Sequence, residues 1–317
     1  MAANCEPPRD EGGFKNLQKT HGAVNAEPPP APPGAKLRRA GLRIKALLRR
    51  WFPALYGRLW RMRHRPPRTP REESDVPAKY YKDERILRAI VGDGGRVVRG
   101  GPFAGMRYVS RPHGGAFYPK LLGSYEAELH GVLARAMESR YHEVINIGCG
   151  EGYYAVGLSL RMPDARVHAF DTSTRARRLC AKLARLNGVA RRVTVSAACS
   201  HRRLDELTGR RALVVCDCEG CELELLRPEL VPGLTRCDLL IELHDFIDRS
   251  ISRTITDRFT ATHDITLVSS VTRDPSAYPA LSVLSPDDRL VAVAEGRPET
   301  MQWAFMTVRD GSNRRRV

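Results

Sequence analysis

The sequence predicts an α/β protein built on a doubly wound, mostly parallel, Rossmann-like sheet, and three observations carry that prediction. Between residues 142 and 310, short apolar runs rich in Val, Ile and Leu alternate with helix-periodic stretches. The first run, Val144 to Ile147, breaks at Gly148, Gly150 and Gly152, and a helical pattern starts at Tyr153. The next run, Ala165 to Phe170, ends in an acid, Asp171, where a carboxylate is placed to accept ribose hydroxyls.

Taken in order, Asp83 to Val91 reads as a short helix, and the Gly, Pro and aromatic content up to about Tyr118 as short strands or loops. From Tyr125 a helix is expected, with Leu129, Val132, Leu133 and Met137 at helical spacing. Strands are then expected at Val144 to Ile147, Val167 to Phe170, Val193 to Ser196, Ala212 to Cys216, Leu239 to Leu243 and Ile265 to Ser269. Between them, helices are expected from Tyr153, over Thr174 to Leu186, near Glu222 to Leu226 and near Ile251 to Arg258. Trp303 to Val308 reads as a late strand, placed at the sheet's edge and antiparallel.

The first hundred residues differ in kind. Residues 1 to 35 carry Pro28 to Pro30, Pro32 and Pro33 without apolar periodicity, and are expected to be disordered. Of the net charge of +16, +13 falls between Lys36 and Arg71, which contains no acid. On a helix, Leu37, Ile44, Leu48, Trp51, Leu55, Leu59 and Met62 form one stripe, and Arg39, Arg43, Lys45, Arg49, Arg50, Arg61 and Arg63 cover the other side. Pro53 implies a kink. An anionic membrane surface is the expected partner of residues 36 to 63, ahead of docking on the protein itself or binding nucleic acid. The resulting division is 1–35 tail, 36–75 basic segment and linker, 76–141 lead-in, 142–310 catalytic domain and 311–317 basic tail.

No secretory h-region or twin-arginine start stands near Met1, and no apolar run is long enough to span a membrane. A cytoplasmic protein, peripheral at a membrane, is therefore expected. Its eight cysteines are expected to be reduced thiols.

The glycine spacing is G-x-G-x-G, and Tyr153 stands where a dinucleotide fingerprint has its third glycine, which disfavours NAD. The string VINIGCGEGYYAVGL…VHAFD resembles the first two motifs of class I S-adenosylmethionine (SAM) dependent methyltransferases, except that Asn146 stands where those enzymes usually carry an acid. Further on, Asp217-Cys218-Glu219-Gly220-Cys221-Glu222, followed by Glu242-Leu243-His244, resembles the FkbM family of these enzymes. The flanks GPFAGMRYV…PKLLGSYEAEL and Glu295 to Trp303 look like the same family, so the resemblance runs from about residue 100 to the C-terminus. It implies SAM as cofactor and O-methylation of a hydroxyl on a sugar or other small molecule. It also implies a cofactor-binding set of Tyr125, Glu126, Gly148, Gly150, Gly152, Asp171, Ala198 and Asp217. A nucleotide-cofactor oxidoreductase and a non-catalytic SAM-binding module are the alternatives.

Asp217 and Glu242 end apolar strands, where an acid is costly without a role or partner. With Glu219 and His244 they form the candidate catalytic set, His244 as general base. Glu222 and Glu224 read equally as solvated first-turn acids. Cys216-x-Cys218-x-x-Cys221 lacks a downstream partner pair for zinc, so packing is expected there and no metal. The N/D-P-P-Y/F motif of amino-methylating sites is absent, D-C-E-G standing in its place.

Overall fold

The computed structural model describes residues 83–110, 112–113 and 115–309. The expected disordered tail 1–35, the basic segment 36–75 with its membrane contact, and the tail 311–317 lie outside the described residues. Among the described residues, no helix is long and apolar enough to cross a membrane.

Seven strands form one sheet: β1 (Glu143–Ile147), β2 (Arg166–Phe170), β3 (Val193–Ser196), β4 (Ala212–Cys216), β5 (Asp238–Leu243), β6 (His263–Ser269) and β7 (Gln302–Val308). Their order is β3-β2-β1-β4-β5-β7-β6. The first five run parallel, with Ile147 paired to both Phe170 and Cys216. β7 is antiparallel to β5 and to β6. It therefore lies inside the sheet, and β6 forms the edge, correcting the expected edge position of Trp303 to Val308. Trp303 to Met306 is buried without a break, the mark of an interior strand and not of one with a wet face.

Alternate residues along each strand feed two cores. Val144, Val167, Leu213, Val215, Leu240 and Trp303 face one core. It is filled from α1 (Glu84–Val91), α2 (Phe117–Leu122), α3 (His130–Glu138), α4 (Tyr153–Arg161), α5 (Thr174–Leu186) and, near the C-terminus, Pro286–Val293. Ile145, Ile147, Val214, Cys216, Leu239 and Ile241 face the other. That core is closed by α6 (His201–Leu207), α7 (Glu222–Leu225) and α8 (Ile251–Phe259). Gly157 sits mid-helix in α4 because a Cβ there would lie 2.5 Å from the Phe103 ring. Glycine in a helix interior costs about 1 kcal/mol relative to alanine, and here the aromatic packing offsets it. Of the short strands or loops expected up to about Tyr118, the described residues form loops with a single Val97–Arg107 bridge.

The order in which strands are added reverses between β1 and β4, since β2 and β3 lie to one side of that parallel pair and β5 to the other. Loops leaving the carboxyl ends of β1 and β4 part there and open a crevice, the usual ligand position in open α/β sheets.

Candidate functional site

Both sequence-identified motifs lead out of that switch point. After β1, the chain turns through Gly148 (φ +76), Gly150 (φ +53) and Gly152 (φ +98), and Gly152 caps α4. The glycines serve different needs. A Cβ on Gly148 would stand 1.5 Å from the Asp217 carbonyl oxygen, so backbone meets backbone across the switch point. A Cβ on Gly150 would meet nothing within 4 Å, so the turn faces open space there. Asp171, at the end of β2, fastens the turn: Oδ2 accepts the Gly150 N–H at 2.9 Å and Oδ1 accepts the Ser173 N–H at 2.7 Å. Each oxygen keeps a second lone pair, enough to accept the two hydroxyls of a ribose.

On the β4–β5 side the site is made of side chains. His244, buried just past β5, donates from Nδ1 to Glu222 Oε1 at 2.7 Å. Its Nε2 faces Asp217 Oδ1 at 3.4 Å and Glu242 Oε2 at 3.6 Å. Burial alone would lower this imidazole, but its hydrogen bonds to Asp217 and Glu222 and the charges of Glu222 and Glu242 outweigh that and raise it to about 11. His244 is therefore an imidazolium at neutral pH. Burial raises Asp217, but its hydrogen bond to His244 and the imidazolium charge outweigh that and hold the carboxyl below its usual range. Burial, followed by the charges of Asp217 and Glu126, drives Glu242 the other way, well above the usual carboxylate range.

A buried ionic network backs this cluster. Arg297 reaches Glu242 at 3.3 Å, Glu126 at 3.1 Å and Glu295 at 2.9 Å. Arg273 pairs with Glu295 at 2.9 Å and with Glu128. Tyr154 donates its hydroxyl to Glu126. Burial raises Glu126, Arg297 and Tyr154 pull it down, Asp217 and Glu295 push it up, and the balance stands at about 7. Nearby, buried Lys120 pairs with Glu151 at 2.8 Å and lies 4.8 Å over the Tyr125 ring.

The structure thus brings Asp217, Glu242 and His244 together, with Gly148 pressed against Asp217. Glu219 is exposed at the tip of the turn, with φ +55. Ala198 is exposed two residues beyond β3, and half-buried Tyr125 meets Tyr153 edge-on at 5.3 Å. Glu126, expected to touch cofactor, is 1% exposed and bound to Arg297 and Tyr154. Asn146 is buried, its Nδ2 3.4 Å from the Val215 carbonyl and its Oδ1 without a partner. Glu222, read equally as solvated, is fully buried and is His244's closest partner. Nothing in the local sequence separates it from a solvated first-turn acid.

Cys218 and Cys221 form a disulfide, which corrects the expectation of reduced thiols for that pair. The turn brings their Cα atoms to 5.5 Å, within bridging range. Cys149, Cys180, Cys199, Cys216 and Cys237 are free thiols, and Cys5 lies outside the described residues. Asp217, Glu242 and His244 each present one ligand atom, all within 4.8 Å of one another. His244 Nε2 stands at ion-pair distance from both carboxyls, and we read the set as an ion cluster.

Residues 130–208 match the family model of the methyltransferase small domain. That stretch runs from α3 to α6 and contains the glycine turn and Asp171. No curated protein matches the chain. Among solved structures, similarity is found to the O-methyltransferase of Bacillus cereus in complex with SAH, at 10% identity over 72% of this chain and 91% of that one, with a TM-score of 0.42. The O-methyltransferase TomG of Streptomyces achromogenes, involved in tomaymycin synthesis and solved with SAM, is 16% identical over 59% of this chain and 81% of its own, TM-score 0.39. The precorrin-6Y C5,15-methyltransferase of Geobacter metallireducens is 13% identical over 58% and 88%, TM-score 0.39. These likenesses are distant, and the family match covers the β1–β3 part of the sheet.

Proposed function

We propose that this protein is a SAM-dependent methyltransferase of the FkbM type that methylates a hydroxyl oxygen on a sugar or other small molecule. The observation that carries the reading is the meeting of two half-sites at the switch point. The glycine turn with its strand-end acid stands on one side and the Asp217–Glu242–His244 cluster on the other, joined where Gly148 abuts Asp217. The family match at residues 130–208 supports the cofactor half. The D-x-E-G-x-E and E-L-H strings, with Arg297 of the Glu295 to Trp303 flank touching Glu242, support the FkbM assignment.

Gly150 leaves room for the cofactor backbone, and Asp171 holds the ribose hydroxyls. When bound, SAM supplies an electrophilic methyl group on a sulfonium. Asp217 is ionised and 28% exposed, so it is the member of the cluster that can reach an acceptor hydroxyl. An oxygen gaining a methyl group becomes strongly acidic, so even a carboxylate of low basicity takes its proton. His244 carries two protons already, so we assign it the positive charge that keeps Asp217 ionised, in place of the general base its sequence position suggests. Glu242, raised by burial and by the charges beside it, hydrogen-bonds Asp217.

The test is transfer of labelled methyl from SAM to panels of hydroxyl compounds. Asp217→Asn should lower transfer by about two orders of magnitude or more. Full-rate transfer by that variant would remove Asp217 from the proton path, and labelling of amines alone would overturn O-methylation.

A further inference from the structure

The turn between β4 and α7 carries more chemistry than methyl transfer requires. Within seven residues it holds Cys216, Asp217, the Cys218–Cys221 disulfide and Glu222. The crosslink closes around Glu219 and Gly220, both in the left-handed region (φ +55 and +91). For Glu219, a residue with a Cβ, that conformation costs about 1 kcal/mol and persists only where the surroundings enforce it. The disulfide is a covalent enforcer, and the residue that follows it is Glu222, the buried partner of His244.

We propose that Cys218 and Cys221 form a thiol–disulfide site whose oxidised state braces Glu222 against His244 and whose reduced state releases it. Both cysteines are half-buried, so a small dithiol or a protein dithiol can reach them. A thiolate of that dithiol attacks one sulfur of the pair and breaks the S–S bond. Its second thiol then resolves the mixed disulfide, leaving two cysteine thiols here and one disulfide on the reductant. Two electrons and two protons enter the protein. Cys216 stays out of the exchange although its Sγ lies 3.5 Å from that of Cys218. It is fully buried, and burial pushes its thiol well above the usual range, so it stays protonated and a poor nucleophile.

Reduction acts on Glu222 twice. The turn is freed to leave the left-handed region, which moves the start of α7. Cys218 Sγ, 3.5 Å from Glu222 Oε1, also gains a proton and becomes a donor competing with His244 Nδ1 for the same oxygen. As a disulfide sulfur it has no proton to offer.

The test needs neither cofactor nor acceptor. Alkylation and mass spectrometry of the unreduced full-length protein should find Cys218 and Cys221 protected and linked, and both alkylated after dithiothreitol. At one fixed pH, the His244 Nδ1–H proton, bonded to a buried carboxylate, should give a downfield NMR signal, assigned by its loss in Glu222→Gln. That signal should move upfield or vanish on reduction and return on reoxidation. A C218A/C221A variant should match the reduced protein, and the reversible cycle in the unaltered chain decides the matter if that variant does not fold. Alkylation of both cysteines in the unreduced protein would overturn the proposal. So would a His244 signal indifferent to reduction.

Discussion

At the β1–β2 end of the sheet, the site is three glycines and one carboxylate, and Asp171 turns both oxygens onto backbone N–H groups. At the β4–β5 end, Glu126, Asp217, Glu222, Glu242 and Glu295 share Arg297 and His244, and the contacts run from side chain to side chain. The first region specifies shape through contacts between one carboxylate and backbone. The second stores charge: burial and neighbouring charges raise Glu126 and Glu242, the surrounding carboxylates raise His244, and His244 holds Asp217 down. On the proposed reading, one region holds a ligand in place and the other manages protons, and they should fail in different ways when altered.

The largest effect is expected at Gly148. Gly148→Ala drives a Cβ into the Asp217 carbonyl, and a circular-dichroism melt should show loss of the cooperative transition or destabilisation above about 4 kcal/mol. Gly150→Ala, facing open space at a similar φ, should cost about 1 kcal/mol. Equal costs would mean that the two glycines do not serve different needs.

Arg297→Met strands Glu126, Glu242 and Glu295, and urea unfolding should show a loss of about 3 kcal/mol or more, larger at pH 8 than at pH 5. A pH-independent loss would contradict the charge-storing reading.

Titration adds a third prediction. Glu126 moves from 4.5 unfolded to about 7 folded, so the folded state binds the extra proton between those values and stability falls as pH rises through that window. His244 contributes stability that is fully present below about 6.5 and is lost as pH rises toward about 11. The urea midpoint should therefore decline from pH 4.5 into the alkaline range, and Glu126→Gln should flatten the limb below pH 7. A midpoint rising across that limb would contradict the assignment. The smallest effect is expected at Glu219→Gly, a gain of up to about 1 kcal/mol from relief of its positive φ with SAM affinity unchanged.

The same contrast explains what the sequence made legible. Gly148, Gly150, Gly152 and Asp171 could be read because a backbone requirement leaves a local pattern: glycines within five residues and an acid at a strand's end. Asp217, Glu242 and His244 could be read because polar groups that end apolar strands stand out. Arg297 could not be paired with Glu126 because 171 residues separate them, and charge on a surface loop looks the same as charge in a buried network. Glu222 was hidden because its burial depends on α7 docking beneath His244. The place of β7 escaped because an antiparallel strand has the same apolar run inside a sheet as at its edge. In the structure Trp303 to Met306 are buried without a break, which places the strand inside the sheet.

The central claim is that the turn at Gly148 to Gly152 holds SAM, and calorimetric titration of the full chain tests it most directly. The account predicts one SAM per chain, no heat with NAD, loss of binding in Gly150→Arg with the fold intact, and at least about tenfold weaker binding in Asp171→Ala, the size expected for lost hydrogen bonds. NAD binding in place of SAM, or unchanged SAM affinity in both folded variants, would contradict it.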